Sequence, residues 1–375
     1  MLALPFYAEE LGASATVLGL ILSVYAAAQF VFAPVWGRLS DRVGRRPVLL
    51  ISVAGMGLSL LWLGLAESLL GIFAARAAGG IFAANIGVAS AYIADVTEAE
   101  ERTRWMGVLG ACFGVGFVLG PAIAGLLQPF GESIMPGRAA SLPVVFAAGL
   151  AAVNLIWAFF SLDEPEQRAA PDSNDSASRL TLLRDPEIRR LCGAWLLFSL
   201  GVTQLEATFA FFMIDRFAYD MQGVAWIFVG MAILMGGVQG GGMKGLAGRF
   251  GERKLVVAGA FLCGVSFAGI PLVGTIPVLL AVLALSAVAR ALVQPSMMGL
   301  ISTAGTDSNR GLVMGTFQSC GSLARVFGPA FAGLLFDREI AMPFLFAALL
   351  FFVVAVISRR LPARALAAPA APVAL

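Results

Sequence analysis

Apolar residues run along this chain in long unbroken blocks, and the polar residues gather between them. A helix needs roughly 20 mostly apolar residues to cross the hydrocarbon core of a bilayer. Eleven blocks are of that order: 15–36, 47–66, 68–94, 105–128, 142–162, 191–214, 223–243, 254–273, 276–303, 311–335 and 341–358. They are continuous and do not alternate, which argues against barrel strands. Many are rich in Gly and Ala, so helix backbones can approach closely. The pattern predicts an all-α polytopic membrane protein with eleven full spans. Segment 1–8 is apolar but too short to cross, and Glu9 and Glu10 follow without the basic region of a signal peptide. It reads as the last turns of a truncated first helix in a twelve-span architecture.

Charge then orients the spans. Placing the loop after 15–36 on one side assigns nineteen Lys and Arg to that side and three, Arg138, Arg216 and Arg338, to the other. The basic side is cytoplasmic by the positive-inside rule. The linker and the C-terminal tail fall on it.

The longest polar stretch, 163–190, is rich in Pro, Ser, Asp and Arg and reads as a cytoplasmic linker. It separates an N-terminal half, 1–162, from a C-terminal half, 191–359, with a tail over 360–375. The halves repeat one another. Residues 105–127 and 313–335 share eleven identities in twenty-three positions, including Gly120-Pro121 against Gly328-Pro329. Duplicated, pseudo-symmetric six-helix halves around a central cavity are a transporter architecture.

Composition narrows the function. Hydrophobic residues make up 59% of the 375 and charged residues 13%, against roughly 25% charged in soluble domains. There is no histidine, which removes His-based acid–base chemistry, His metal ligands and a Ser-His-Asp triad. Cys112, Cys192, Cys263 and Cys320 lie singly in apolar runs, as small hydrophobes. A net charge of +2 is too small to suggest nucleic acid. No Walker A motif is present to bind ATP. An enzyme, a metal site and a cofactor are therefore not expected.

The loop between the first two full spans reads Gly37-Arg-Leu-Ser-Asp41-Arg42-Val-Gly44-Arg45-Arg46-Pro47. Positive-inside charge accounts for its arginines but not for the lone carboxylate or the glycines seven apart. The glycines are expected to permit a tight turn. In span 105–128, Gly107, Gly116, Gly120-Pro121 and Gly125 recur at fixed spacing, with Ala124 beside Gly125. The glycines favour close packing and Pro121 a bend. Arg76 lies in span 68–94 four residues before Gly80, in a helix that ends at Asp95.

These three patterns resemble the major facilitator superfamily. Gly37, Leu39, Asp41, Arg42, Gly44, Arg45 and Arg46 match its G-x-L-x-D-R-x-G-R-[KR] loop. Gly107, Gly116, Gly120, Pro121 and Gly125 match its antiporter motif with one Gly replaced by Ala, and Arg76 and Gly80 match R-x-x-x-G. The second half's loop, Lys244–Lys254, keeps Leu246, Arg249, Gly251 and Arg253 but lacks the Asp. The stretches GRLSDRVGRRPVLL, AYIADVT and ACFGVGFVLGP are similar to bacterial tetracycline/proton antiporters and multidrug efflux transporters. The resemblance implies conformational gating by the first loop and exchange of a drug against protons.

Charges within spans are candidates for coupling, because each costs a few kcal/mol unless paired or wet. Glu206 is the acid well inside a span and shares a helical face with Ser199 and Thr203. With Arg76 and Asp95 it is a proton-coupling candidate. Arg290 and Gln294 share a face of 276–303, and Gln318, Ser322 and Arg325 one of 311–335. Tyr25, Gln29, Asn85, Asn154, Gln204, Arg290, Gln294, Gln318 and Arg325 are candidates for the substrate cavity; each also suits a helix-to-helix bond. With 28 Phe and 6 Trp, a greasy cavity for amphipathic compounds is expected. The expected protein is a monomeric proton-coupled exporter in the bacterial inner membrane, its partners a small molecule, protons and lipid. The alternatives are an exporter of a sugar or amino acid and a truncated, transport-incompetent membrane protein.

Overall fold

In hydrocarbon every backbone N–H and C=O must be paired within the crossing segment, and an isolated apolar block does this as a helix. In the computed structural model, which describes residues 3–165, 182–305 and 310–361, all eleven blocks are helical. Among the described residues there is no strand. The main helices are α1 Ala3–Glu10, α2 Ala15–Val43, α3 Arg45–Leu65, α4 Leu69–Phe82, α5 Ile86–Val96, α6 Ala99–Leu127 and α7 Leu142–Ser161. They continue with α8 Pro186–Phe217, α9 Met221–Gly237, α10 Met243–Phe250, α11 Glu252–Gly269, α12 Ile276–Ser302, α13 Arg310–Arg338 and α14 Met342–Ser358. Ten helical stretches are long and apolar enough to cross a membrane, and α14 adds a shorter apolar helix of 17 residues. The protein is an all-α polytopic membrane protein.

Four boundaries depart from the expected ones. The stretch expected as a loop from Gly37 is helical to Val43, and only Gly44 leaves the helix, at φ +120°. The helix continues because Ser40 and Arg42 sit well in a last turn: Ser40 Oγ donates to the Gly37 carbonyl at 2.8 Å, and Arg42 faces the negative helix end. Gly37 therefore makes no turn. Gly44 does, and a Cβ there would lie 2.6 Å from Glu164 Oε1. The expected span 68–94 is broken between α4 and α5 at residues 83–85. The helix of span 191–214 begins earlier, at Pro186, where Asp185 Oδ1 accepts from Glu187 N at 2.7 Å. Span 223–243 ends in a wider π-turn over Val238–Gly242, where three consecutive glycines relax the helix. Of the expected linker, 166–181 lie outside the described residues, as do 362–375 of the tail.

The chain forms two compact units. The first comprises the described residues of Met1–Ser173, Thr203–Gly230 and Arg325–Ile340. Within it α2 and α4 nearly touch: a Cβ on Gly80 would lie 2.3 Å from the Tyr25 carbonyl. The start of α2 packs equally closely on the end of α13. A Cβ on Gly19 would lie 2.2 Å from the Pro329 carbonyl, and the Asp337 carboxylate accepts from Ala15 N at 3.1 Å and Thr16 N at 2.9 Å. Residues 3–8 of α1 are buried, and Tyr7 donates to the Ala66 carbonyl. The second unit comprises the described residues of Asn174–Val202, Met231–Ala324 and Ala341–Leu375. Its core is aromatic. Trp195 stacks on Phe317 at 4.9 Å, and Phe351 meets Phe267 at 4.8 Å and Phe198 at 5.4 Å.

Candidate functional site

The turn between α2 and α3 is built around Arg45. Its guanidinium reaches Asp41 Oδ1 at 2.6 Å and Ser40 Oγ at 2.6 Å on α2, and Asp95 Oδ2 at 2.9 Å on α5. Arg45 is buried, the Asp95 side chain is 1% exposed and that of Asp41 54%. Asp95 is thus the desolvated partner and Asp41 the wet one. The N-terminus of α3 is closed from elsewhere in the unit: Glu164 accepts from Arg45 N at 2.7 Å and Arg46 N at 2.9 Å. Arg46 donates to the Phe159 carbonyl at 2.8 Å, and Tyr92 to that of Asp163 at 3.1 Å. The stretch following α7 is thereby tied to α3 and α5. Gly37 joins this knot only through its carbonyl, which accepts from Ser40 Oγ.

The second constellation surrounds Arg76. This buried guanidinium lies 3.9 Å from the centroid of the Tyr25 ring, a cation–π contact that offsets its desolvation. Gly80, one turn along α4, brings the α2 backbone close enough for that contact. Just beyond, the helix break frees backbone carbonyls, and α2 supplies their donors. Trp36 Nε1 donates to Ile81 O at 2.6 Å and Gln29 Nε2 to Ala83 O at 3.1 Å. Asn85 Nδ2 donates to Ser52 Oγ at 2.6 Å on α3.

Of the residues expected in the cavity, Gln29 and Asn85 have their amides engaged at the break. Gln204 is fully buried, and its Nε2 donates to the Gly328 carbonyl at 3.3 Å. Gly328 precedes Pro329 inside α13, and on the far side of the proline Ala330 N donates to Ser23 Oγ at 3.1 Å. Asn154 is exposed on α7, apart from the other candidates. Arg290 and Gln294 lie on α12, with Gln294 exposed; Gln318 reaches Met298 Sδ at 3.9 Å across to α13. Gln294, Met298 and Gln318 therefore share one side of the second unit. Arg325 is exposed one helical face along α13 from Gln318.

The antiporter-motif helix also differs from expectation. The Gly107, Gly116 and Gly120 positions have nothing within 4 Å of an added Cβ, so they do not pack in this conformation. Gly125 does, with Ala225 Cβ at 3.0 Å. Pro121 sits inside α6, which remains helical through it. Glu206 lies deep in α8. From Thr203 to Met213 every residue is buried except Glu206, which is exposed.

Sequence reading missed Glu164, Ser40 and Trp36. A carboxylate just past a span end, and a serine and an indole on helix faces, are individually unremarkable signals; their partners lie up to 119 residues away.

Helices of this length and composition define a polytopic membrane protein, and an ion-paired turn joins two of them. The chain belongs to the Major Facilitator Superfamily, whose model matches residues 1–245 and 243–373. It is 33% identical to the tetracycline resistance protein, class D, of Salmonella ordonez over 85% of this chain and 80% of that protein. It is 28% identical to multidrug resistance protein 2 of Bacillus subtilis over 92% of this chain and 86% of that one. The crystal structure of the human organic anion transporter MFSD10 matches with a TM-score of 0.66 at 28% identity, over 95% of this chain and 88% of that one. The protein is a major facilitator transporter related to tetracycline resistance proteins, and not an enzyme.

Proposed function

We propose that this protein is a secondary active exporter of small amphipathic compounds, drug- or tetracycline-like, driven by protons entering in exchange. It works in the bacterial inner membrane, with the linker and C-terminus cytoplasmic. The names of the tetracycline and multidrug relatives and the spacing of Gly107, Gly116, Gly120, Pro121 and Gly125 support this reading. The observation that carries it is Glu206, a carboxylate within a crossing helix that is open while its neighbours are buried. A carboxylate turned to lipid is costly, so an opening that admits water and substrate is the favourable setting for it. A group reachable by both can be protonated or substrate-bound, and competition at one site couples the two fluxes. Arg45 with Asp41 and Asp95 gates the change of conformation.

Glu206→Gln keeps the shape and removes titration. In proteoliposomes with a proton gradient, it should abolish uphill accumulation and retain downhill substrate exchange. A Gln variant that still concentrates substrate refutes Glu206 as the coupling acid.

A second reading, export of an organic anion, is favoured by Arg325, exposed on α13 with Gln318 on the same face. Transport of anionic rather than cationic amphiphiles, lost in Arg325→Gln, would select it.

A further inference from the structure

In the second unit, α8 and α14 hold together where Phe198 and Gly201 meet Phe351. The Phe198 and Phe351 rings are 5.4 Å apart, and a Cβ on Gly201 would lie 2.7 Å from the Phe351 ring. Towards the start of α8 and the end of α14 a groove of about 520 Å³ opens between them. Its floor is Gly193, Leu196, Leu197, Val356 and Ile357, and its remaining lining residues are Arg189, Arg190 and Arg360. No acidic residue lines it among the described residues. Gly193 has nothing within 4 Å of an added Cβ, so the floor is unfilled there. All three arginines are exposed, on the end of the helices that carries the basic loops.

We propose that this groove binds an anionic phospholipid, its phosphate between the three guanidiniums and an acyl chain along the apolar floor. The arrangement has both halves of that ligand's chemistry. Guanidiniums match phosphate oxygens in fork geometry, and basic pockets between membrane helices at the headgroup level take anionic headgroups. A free anion would use only the rim. The apolar floor lies below the arginines along the helix axes, where a lipid tail runs. The first amides of α8 are partly occupied by Asp185, which accepts from Glu187 N at 2.7 Å and Ile188 N at 3.4 Å. The attraction therefore comes from side chains rather than from the helix terminus. Ordinary positive-inside arginines would scatter around the helices; here two from the start of α8 and one just past the end of α14 line the same groove.

The test uses the full chain purified in detergent. Lipid retention is read by native mass spectrometry and stabilisation by thermal unfolding. The probes are phosphatidylglycerol, phosphatidylcholine of the same acyl chains, and inorganic phosphate. The wild type should retain and be stabilised by phosphatidylglycerol over phosphatidylcholine, with no shift from inorganic phosphate. Each arginine lost should cost about fivefold in that preference, and R189Q/R190Q/R360Q about a hundredfold. Gly193→Leu fills the floor without changing charge and should lower retention about tenfold. R102Q/R104Q, which removes charge from α6, should stay within about twofold of wild type. If the triple variant is unstable, R190Q alone carries the test, at the expected fivefold. Unchanged preference in R190Q or the triple variant overturns the proposal. So does an equal loss in R102Q/R104Q, which would mean diffuse charge, or an equal shift from inorganic phosphate, which would mean an anion site without a tail.

Discussion

Arg45 concentrates more of the first unit's polar chemistry than any motif position beside it. It is buried and shared between a desolvated acid, Asp95, and a wet one, Asp41. Removing the buried partner leaves a charge uncompensated, whereas the exposed one is replaceable by water. Asp95→Asn should therefore destabilise the protein by about 2–4 kcal/mol, and Asp41→Asn by less than about 1 kcal/mol. Thermal unfolding in detergent checks the order; equal effects would mean that burial does not set it. Asp41→Asn should leave membrane insertion intact, since insertion depends on the arginines, while lowering transport. Asp41 and Arg45 were legible in sequence because family spacing marks them; Asp95 was expected as a proton-coupling candidate, and its pairing with Arg45, fifty residues away, leaves no local pattern. Glu164 was not legible, because a helix cap supplied from 119 residues away leaves none either.

At the scale of the element, glycines that look alike in sequence divide into two kinds. Gly80 faces a backbone carbonyl 2.3 Å from where its Cβ would be, and no rotamer relieves that contact. Gly116 and Gly120 face open space. Gly80→Val should abolish the folded, monodisperse peak in fluorescence-detected size exclusion, while Gly116→Ala should retain it. Gly120→Leu should fold equally well and yet fail in transport, if α6 closes against a neighbour during the cycle. Normal transport by that variant would mean that this face stays open throughout. Sequence spacing identified the antiporter-motif glycines and assigned them to close packing, because periodicity reports which face a residue is on and not what occupies the space beyond. The break in span 68–94 was illegible for a related reason. Ala83, Ala84 and Asn85 carry no proline or glycine, and the donors that permit the break, Trp36 and Gln29, lie on another helix. Gln29→Leu leaves the Ala83 carbonyl without that donor and should cost about 1–2 kcal/mol, seen as faster amide exchange confined to residues 83–89.

At the scale of the molecule, hydropathy located all eleven blocks, since a crossing helix must be long and apolar whatever it packs against. It could not show that α8, α9 and α13 each contribute to both compact units, a matter of packing rather than composition. At the end of α1 two glutamates respond to their surroundings. Partial desolvation raises the exposed Glu9 carboxyl from its ordinary value, helped by Asp215. Desolvation also raises Glu10, opposed by a hydrogen bond from the Ala140 backbone and reinforced by Glu132 and Glu9. A carboxyl raised on folding binds its proton more tightly in the folded state. Its stabilisation is present below the unfolded value and is lost as pH rises through the folded one. Amides of α1 should therefore be better protected at pH 5 than at pH 7, after correction for intrinsic exchange, and E9Q/E10Q should flatten that dependence. Protection that rises with pH would reverse the sign.

The interruption between α4 and α5 also makes one membrane crossing into two rods joined end to end. The rod holding Arg76 is fastened to the Tyr25 ring, and the rod holding Asp95 to the Arg45 guanidinium. A continuous helix would transmit torsion from one anchor to the other. A jointed one absorbs it at residues 83–85, so loosening the Asp95 anchor swings the short rod and leaves the long one seated. A spin label on α5 should then broaden in Asp95→Asn while one on α4 keeps its wild-type line shape; broadening at both would mean that the joint is stiff.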